Sequence, residues 1–275
     1  WNFYIRSRFK FVLIIKGAAL GVANIIPGLS GGTVAVILGV YQSLIDALAS
    51  LLSFKREQFV DSFIFLSFIG MGVLGGVFFF SFIIDWVLSS YLESVSYFFI
   101  AIILSSIPYI IKSESINLFT ISRFIFCVLG VLIGLFLVSI KFYFFVDNLV
   151  VHHSYLYLFI SVMVAAATMI IPGISGSLVL VLFGTYSIVI AAIKEMVFFD
   201  LVIIVLAVVI GIFGCSKVLQ LCIRHYFQLT MSVVIGLMLG TLPGLYNGFT
   251  VSLLFLNITF FIGGVLVIWS VKFFR

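Results

Sequence analysis

Two stretches hold the residues with the most chemical promise: NIIPGLSGGTVAVILGVY, beginning at Asn24, and MIIPGISGSLVLVLFGTY, beginning at Met169. In each, a proline, glycines and a serine interrupt an otherwise apolar run. Pro27 and Pro172 have no N–H and push the preceding residue out of helical geometry, which ends a helix. Ser30 and Ser175 are then well placed to cap the helix that follows. The glycines around them, Gly28, Gly31, Gly32, Gly173 and Gly176, leave the first N–H groups of that helix unobstructed, and such donors have no partner inside the helix. Thr33 and Ser177 add hydroxyl donors in the first turns. Together with the positive end of the helix dipole, this is chemistry for holding an anion.

The elements that position these residues must be membrane helices. With 64% hydrophobic and 8% charged residues in a chain of 275, there is too little polar surface to wrap a water-soluble core. Successive apolar runs fill nearly the whole length, which makes an all-α polytopic membrane protein rather than a signal peptide with a soluble domain. Cys127, Cys215 and Cys222 are an odd number within apolar runs, so they read as packing residues, with no disulfide framework, metal site or cofactor implied. The net charge of +5 is explained first by membrane topology and not by nucleic acid. The chain opens at Trp1 without a methionine and so reads as trimmed by a few residues.

The two stretches are one motif used twice, at an offset of 145 residues. Pro27, Gly28, Ser30, Gly31, Gly39 and Tyr41 match Pro172, Gly173, Ser175, Gly176, Gly184 and Tyr186. The remaining prolines pair as well, AIILSSIPYI around Pro108 with GLMLGTLPGL around Pro243, and CVLGVL from Cys127 matches FIGGVL from Phe261. The duplication therefore divides the chain into 1–148 and 149–275, two repeats of one membrane domain. Each half cuts into five apolar segments: 11–26, 33–52, 62–90, 95–111 and 121–146, then 155–171, 177–197, 199–223, 229–246 and 251–271. The first two segments of each half form a hairpin broken at the proline and glycine, with about three transmembrane helices after it. Two arrangements fit that hairpin, a re-entrant loop or two crossings. Either gives an odd number of crossings per half and so an inverted repeat. With both termini in the cytoplasm, only Lys141 and Lys194 of the 14 Lys and Arg residues fall outside.

In hydrocarbon, irregular backbone survives only if it is buried in protein or lines a polar cavity. Duplicated breaks in inverted repeats are where secondary transporters hold substrate. Glycine pairs at four-residue spacing, Gly17 and Gly21, Gly72 and Gly76, Gly130 and Gly134, Gly236 and Gly240, read instead as sites of close helix approach. Asn24 has Met169 at its matching position, so any contact it makes is asymmetric. Asp46, Asp85 and Glu195 lie within or near apolar runs, where an acid is functional by default and a place at the interface is the alternative. Lys16 is expected to snorkel to the cytoplasmic face. His152 and His153 fall in a connection between the halves, and Tyr41 and Tyr186 read as packing or interface residues.

These paired motifs, with LSSIPYI and LGTLPGL, resemble the bacterial polyprenyl-phosphate transporter family across most of the chain. The resemblance implies recycling of undecaprenyl phosphate, the carrier lipid of cell-wall synthesis, from the outer to the inner leaflet of the cytoplasmic membrane. It places the phosphate at Asn24, Pro27, Gly28, Ser30, Gly31, Gly32, Thr33, Pro172, Gly173, Ser175, Gly176 and Ser177. Moving that headgroup inward against a negative interior costs about 2.3 kcal/mol per charge per 100 mV. Since a phosphate monoester has a second pKa of about 6, coupling to protons or sodium is expected, with Asp46 as the residue to test. Two other readings stand beside transport of the lipid. The membrane undecaprenyl-diphosphate phosphatase has a similar motif, but Gly31 and Gly176 stand where its arginine would be, so no enzyme is expected. A transporter or channel for a small soluble anion satisfies the helix-end argument equally.

Overall fold

A computed structural model describes residues 7–26, 29–51, 56–144 and 154–271, and among these every regular element is a helix. The first half runs α1 (Ser7–Ile25), α2 (Gly31–Ile37), α3 (Tyr41–Ser50), α4 (Arg56–Ser113) and α5 (Ile121–Phe144). The second half follows with α6 (Tyr155–Met169), α7 (Gly176–Leu182), α8 (Tyr186–Lys194), α9 (Phe198–Gly240) and α10 (Leu254–Val271), with two 3-10 turns between α9 and α10. Five stretches are long and apolar enough to cross a membrane, or seven if each bent pair of short helices is one span.

Length forces a division in the two longest helices. The 58 residues of α4 would extend roughly 87 Å, about three times the hydrocarbon thickness. The 43 residues of α9 would extend roughly 65 Å. Both carry one non-helical residue, Tyr91 (φ −138°, ψ 32°) in α4 and Tyr226 (φ −134°, ψ 44°) in α9. These tyrosines fall where the hydropathy pattern separates 62–90 from 95–111 and 199–223 from 229–246.

Segments 33–52 and 177–197 differ from the sequence expectation, because each is broken a second time. The direction changes by 118° between α2 and α3 and by 110° between α7 and α8. Gly39 and Gly184 turn the chain, each at φ +67°, a left-handed conformation with little penalty for glycine. Around Gly39, Val40 N–H bonds Ala35 O and Gly39 N–H bonds Val36 O. Around Gly184, Thr185 N–H bonds Leu180 O and Gly184 N–H bonds Val181 O. This is the six-to-one and five-to-two pairing that terminates helices. Each bent pair therefore advances only about 14 Å end to end, less than half the hydrocarbon core.

Glycines set the closest helix packing, as their spacing predicts. A Cβ at Gly72 would lie 2.9 Å from the Gly17 Cα, which brings α4 against α1. One at Gly134 would lie 2.9 Å from the Gly240 Cα, which brings α5 against the second limb of α9. α6 packs on the first limb of α9, where a Cβ at Gly211 would meet the Met163 backbone, and α10 packs on α4 through Gly264 at Phe98. Each half thus sends its last helix, α5 or α10, onto the long helix of the other. The largest apolar core includes Ala35, Val36, Ile37 and Ile45 of the first hairpin, whereas α7 and α8 contribute to smaller clusters beside it.

Candidate functional site

The two breaks meet in space. The Gly173 N–H donates to Thr33 Oγ1 at 2.9 Å, and Ser30 Oγ donates to Ile171 O at 3.4 Å. A Cβ at Gly32 would sit 2.8 Å from Ile170 O and 3.1 Å from Pro172 N. Glycine is thus required at position 32 for the start of α2 to lie against the second break. Thr33 is 1% exposed, Ser30 is 5% exposed, and Pro172 is fully buried. Pro27 and Gly28 lie outside the described residues.

Ser30 and Ser175 occupy the N-cap positions of α2 and α7 with extended backbones, but neither side chain makes the capping bond that was expected. Ser30 points across to the second break. Ser175 Oγ lies 2.8 Å from Ser177 Oγ, and the two hydroxyls pair with each other. Neighbouring hydroxyl and carbonyl groups thus compete successfully with the helix's own N–H groups. Intrahelical bonding begins at Val34, whose N–H reaches Ser30 O, and at Val179, whose N–H reaches Ser175 O. The N–H groups of Gly31, Gly32 and Thr33, and of Gly176, Ser177 and Leu178, have no acceptor within their helices.

The matched positions are geometrically alike and chemically unlike. Asn24 covers Gly31, with Oδ1 2.6 Å from where a Cβ would be, and Met169 covers Gly176 in the same way with its thioether chain. The site residues divide accordingly. Ser30, Gly32, Thr33 and Pro172 are buried in the junction, whereas Asn24 and Ser177 are exposed and Ser175 is half-buried. Gly173 adopts φ +86° and abuts the Leu237 backbone of α9, so it fixes the second break against a long helix.

Lys16 makes a contact that its sequence neighbours do not reveal. Its ammonium donates to Leu38 O at 3.0 Å, at the turn between α2 and α3, where a helix end leaves that carbonyl open. Asp46 accepts from Gln220 Nε2 at 2.6 Å and pairs with Arg224 at 3.4 Å, which joins α3 to α9. Glu195 is exposed at the end of α8. The side chain of Asp85 lies outside the described residues, as do His152 and His153. Tyr41 is 3% exposed and belongs to the core, while its match Tyr186 is 44% exposed.

A second pair of polar sites was not expected. Two residues after Tyr91, Glu93 Oε1 accepts from Thr250 N–H at 2.8 Å and from Asn257 Nδ2 at 2.6 Å, and Oε2 accepts from Thr250 Oγ1 at 2.7 Å. Two residues after Tyr226, Gln228 Oε1 accepts from Asn117 N–H at 3.2 Å and its Nε2 donates to Ser115 O at 3.1 Å. The signal in the sequence was YLE against YFQ, spaced like Pro108 and Pro243.

The chain is 31% identical over 273 residues to a polyprenyl-phosphate transporter of Staphylococcus aureus, covering 95% of each. It is 30% identical over 243 residues to one of Vibrio cholerae, covering 84% of this chain and 76% of the relative. No solved structure matches it significantly. Residues 20–271, from just before the first break to the end of α10, match the undecaprenyl phosphate translocase-like family, and the chain belongs to that family.

Proposed function

We propose that this protein moves a polyprenyl phosphate, undecaprenyl phosphate in the bacterial cytoplasmic membrane, from the outer to the inner leaflet, returning a carrier lipid for reuse. The observation that carries this reading is the direct junction of the two breaks through Thr33 and Gly173, in a chain whose relatives are named as transporters of such lipids. Helix starts with free N–H groups meet there with the hydroxyls of Ser175 and Ser177 and the carboxamide of Asn24. A phosphate monoester offers several oxygens that such donors can share.

In this reading the twelve residues of the motif have two tasks. Ser30, Gly32, Thr33, Pro172 and Gly173 hold the breaks together, and Pro27 and Gly28, outside the described residues, keep the helix-ending role their residue types imply. Asn24, Gly31, Ser175, Gly176 and Ser177 face the headgroup. The isoprenoid tail needs only a lateral opening to lipid, and the less covered second hairpin offers one. Both hairpins are re-entrant, because their limbs advance too little to cross. Repeats 1–148 and 149–275 run in opposite directions with both termini cytoplasmic. The repeated element order and the distribution of basic residues support that orientation.

Transport is coupled to protons or sodium, and Asp46 is the residue to test. Its contacts with Gln220 and Arg224 link the first hairpin to the second half, so a change in its charge would be felt in both. Asp46→Asn is expected to reduce transport and flatten its pH dependence. Unchanged transport with unchanged pH dependence would remove the role. Hydrolysis is not part of the reading, since the positions that would need an arginine hold Gly31 and Gly176.

The experiment is to follow leaflet accessibility of a labelled polyprenyl phosphate in liposomes containing the purified protein, with released phosphate measured in the same sample. Protein-dependent movement without phosphate release is the expected result. Phosphate release would move the protein to the phosphatase class. Absence of movement under an imposed proton or sodium gradient, in folded protein, would favour the soluble anion.

A further inference from the structure

The two long helices each carry, two residues beyond their interruption, a side chain that ties down the connection leading to the next packed helix. Glu93 holds Thr250, four residues before α10, and Gln228 holds Asn117, four residues before α5. The held helices are those that each half sends onto the other, α10 on α4 and α5 on α9. The limb 92–113 runs from the Glu93 clamp to the start of the other connection, so the two clamps lie roughly 33 Å apart, about one hydrocarbon thickness. They are structural counterparts at opposite ends of the same helices, and they differ in one respect that matters chemically: one side chain titrates and the other does not.

We propose that Glu93 makes the 246–253 connection a proton-responsive clamp on α10, whereas Gln228 holds the 114–120 connection through an amide that does not titrate, the charged groups beside it being Glu114 and Arg123. Charged Glu93 accepts three hydrogen bonds, two of them from the Thr250 backbone and hydroxyl, and Asn257 is held on its other side by Ser94 Oγ at 2.6 Å. Asn257 is 3% exposed and Ser94 is fully buried, so the network is anchored in the protein. Protonation removes the charge that strengthens these bonds and turns one acceptor oxygen into a donor facing the Thr250 hydroxyl. The clamp is complete when the carboxylate is charged and loosens as pH falls through its titration.

No neighbouring group obscures that response. Residues 246–271, the connection and α10 together, contain no acid, base or histidine. The titratable side chains beside Glu93 are phenols, Tyr97, whose hydroxyl donates to Gly248 O at 3.2 Å, and Tyr246, whose ring meets that of Tyr97 edge-on at 6.3 Å. The next acid along α4 is Asp85, on the far side of the Tyr91 interruption. The inference does not require that the breaks bind phosphate, and its test reads the clamp rather than transport.

The test is hydrogen exchange of the full-length protein in detergent or nanodiscs at pH 7 and pH 4, comparing wild type with Glu93→Gln at each pH so that intrinsic exchange rates cancel. Glutamine keeps an acceptor for the Thr250 N–H and a donor for its hydroxyl, and it stands at the matching position in the other clamp. Expected is exchange in 246–257 that is roughly fivefold faster in wild type at pH 4 than at pH 7 relative to the variant, with 114–120 unaffected. Gln228→Glu, compared with wild type, should install a response of opposite sign at 114–120, because a charged carboxylate would face the Ser115 carbonyl to which Gln228 Nε2 now donates, and only its protonated form could donate there. Wild type and Glu93→Gln responding identically over 246–257 would overturn the proposal, and so would a Gln228→Glu protein with no pH response at 114–120.

Discussion

The first and second breaks share PG-x-SG and have dissimilar surroundings. In the first, Ser30 and Thr33 are buried and turned toward the other break, and five of the seven residues of α2 are buried. In the second, Ser175 and Ser177 turn toward each other at a more open surface, and only Gly176 and Val179 of α7 are buried. The repeated motif takes the same local backbone at both, with the same extended N-cap and the same left-handed glycine eight residues after the breaking serine's glycine. It does not take the same partners. One copy of the motif supplies hydroxyls to hold the molecule together, and the other leaves its hydroxyls available.

The largest effect that tests this difference is expected at Gly173, where alanine would meet both a left-handed backbone and the Leu237 carbonyl 3.0 Å away. Gly173→Ala should destabilise by roughly 2–5 kcal/mol. At Gly184 the backbone is also left-handed but nothing lies within 4 Å, so Gly184→Ala should cost only about 1–2 kcal/mol. Thermal unfolding in detergent separates them, and equal losses would show that the junction at Gly173 is not tight.

A smaller effect distinguishes the hydroxyls. Thr33→Val leaves the half-buried Gly173 N–H without its acceptor and should destabilise by about 1–3 kcal/mol. Exposed Ser177→Ala should leave the melting temperature unchanged and weaken headgroup binding roughly tenfold, read by titration with a short-chain polyprenyl phosphate. The reverse pattern would exchange the tasks assigned to the two breaks. Asn24→Met makes the first break resemble the second above Gly31, and its expected outcome is a several-fold loss of affinity, about 1 kcal/mol, at constant stability. The smallest change is Ser30→Ala. Its bond to Ile171 O is long at 3.4 Å, so a few tenths of a kcal/mol is expected, and combining it with Ser175→Ala should weaken binding while leaving the fold intact.

Much of this was legible in the chain. Hydropathy located the helices and even the interruptions of α4 and α9, because a membrane segment cannot exceed the bilayer without a break. The repeat was legible because Pro27 and Pro172 have strict local consequences. The turns at Gly39 and Gly184 were present as a matched pair, yet they were hidden inside apolar runs, since hydropathy does not register backbone handedness. The Lys16 contact was hidden for a similar reason. Its setting depends on Leu38 folding back beside α1, which no local pattern encodes.

The sequence by itself determined the class of protein, the paired motif and the family, since apolar length, proline geometry and motif spacing are properties of the chain. Only the tertiary structure decided that the Gly173 N–H finds Thr33, that Asp46 finds Arg224, and that Glu93 and Gln228 are counterparts. Those pairings join residues more than a hundred positions apart. They arise when glycine-lined helices pack closely enough to bring polar groups of distant segments within hydrogen-bond reach.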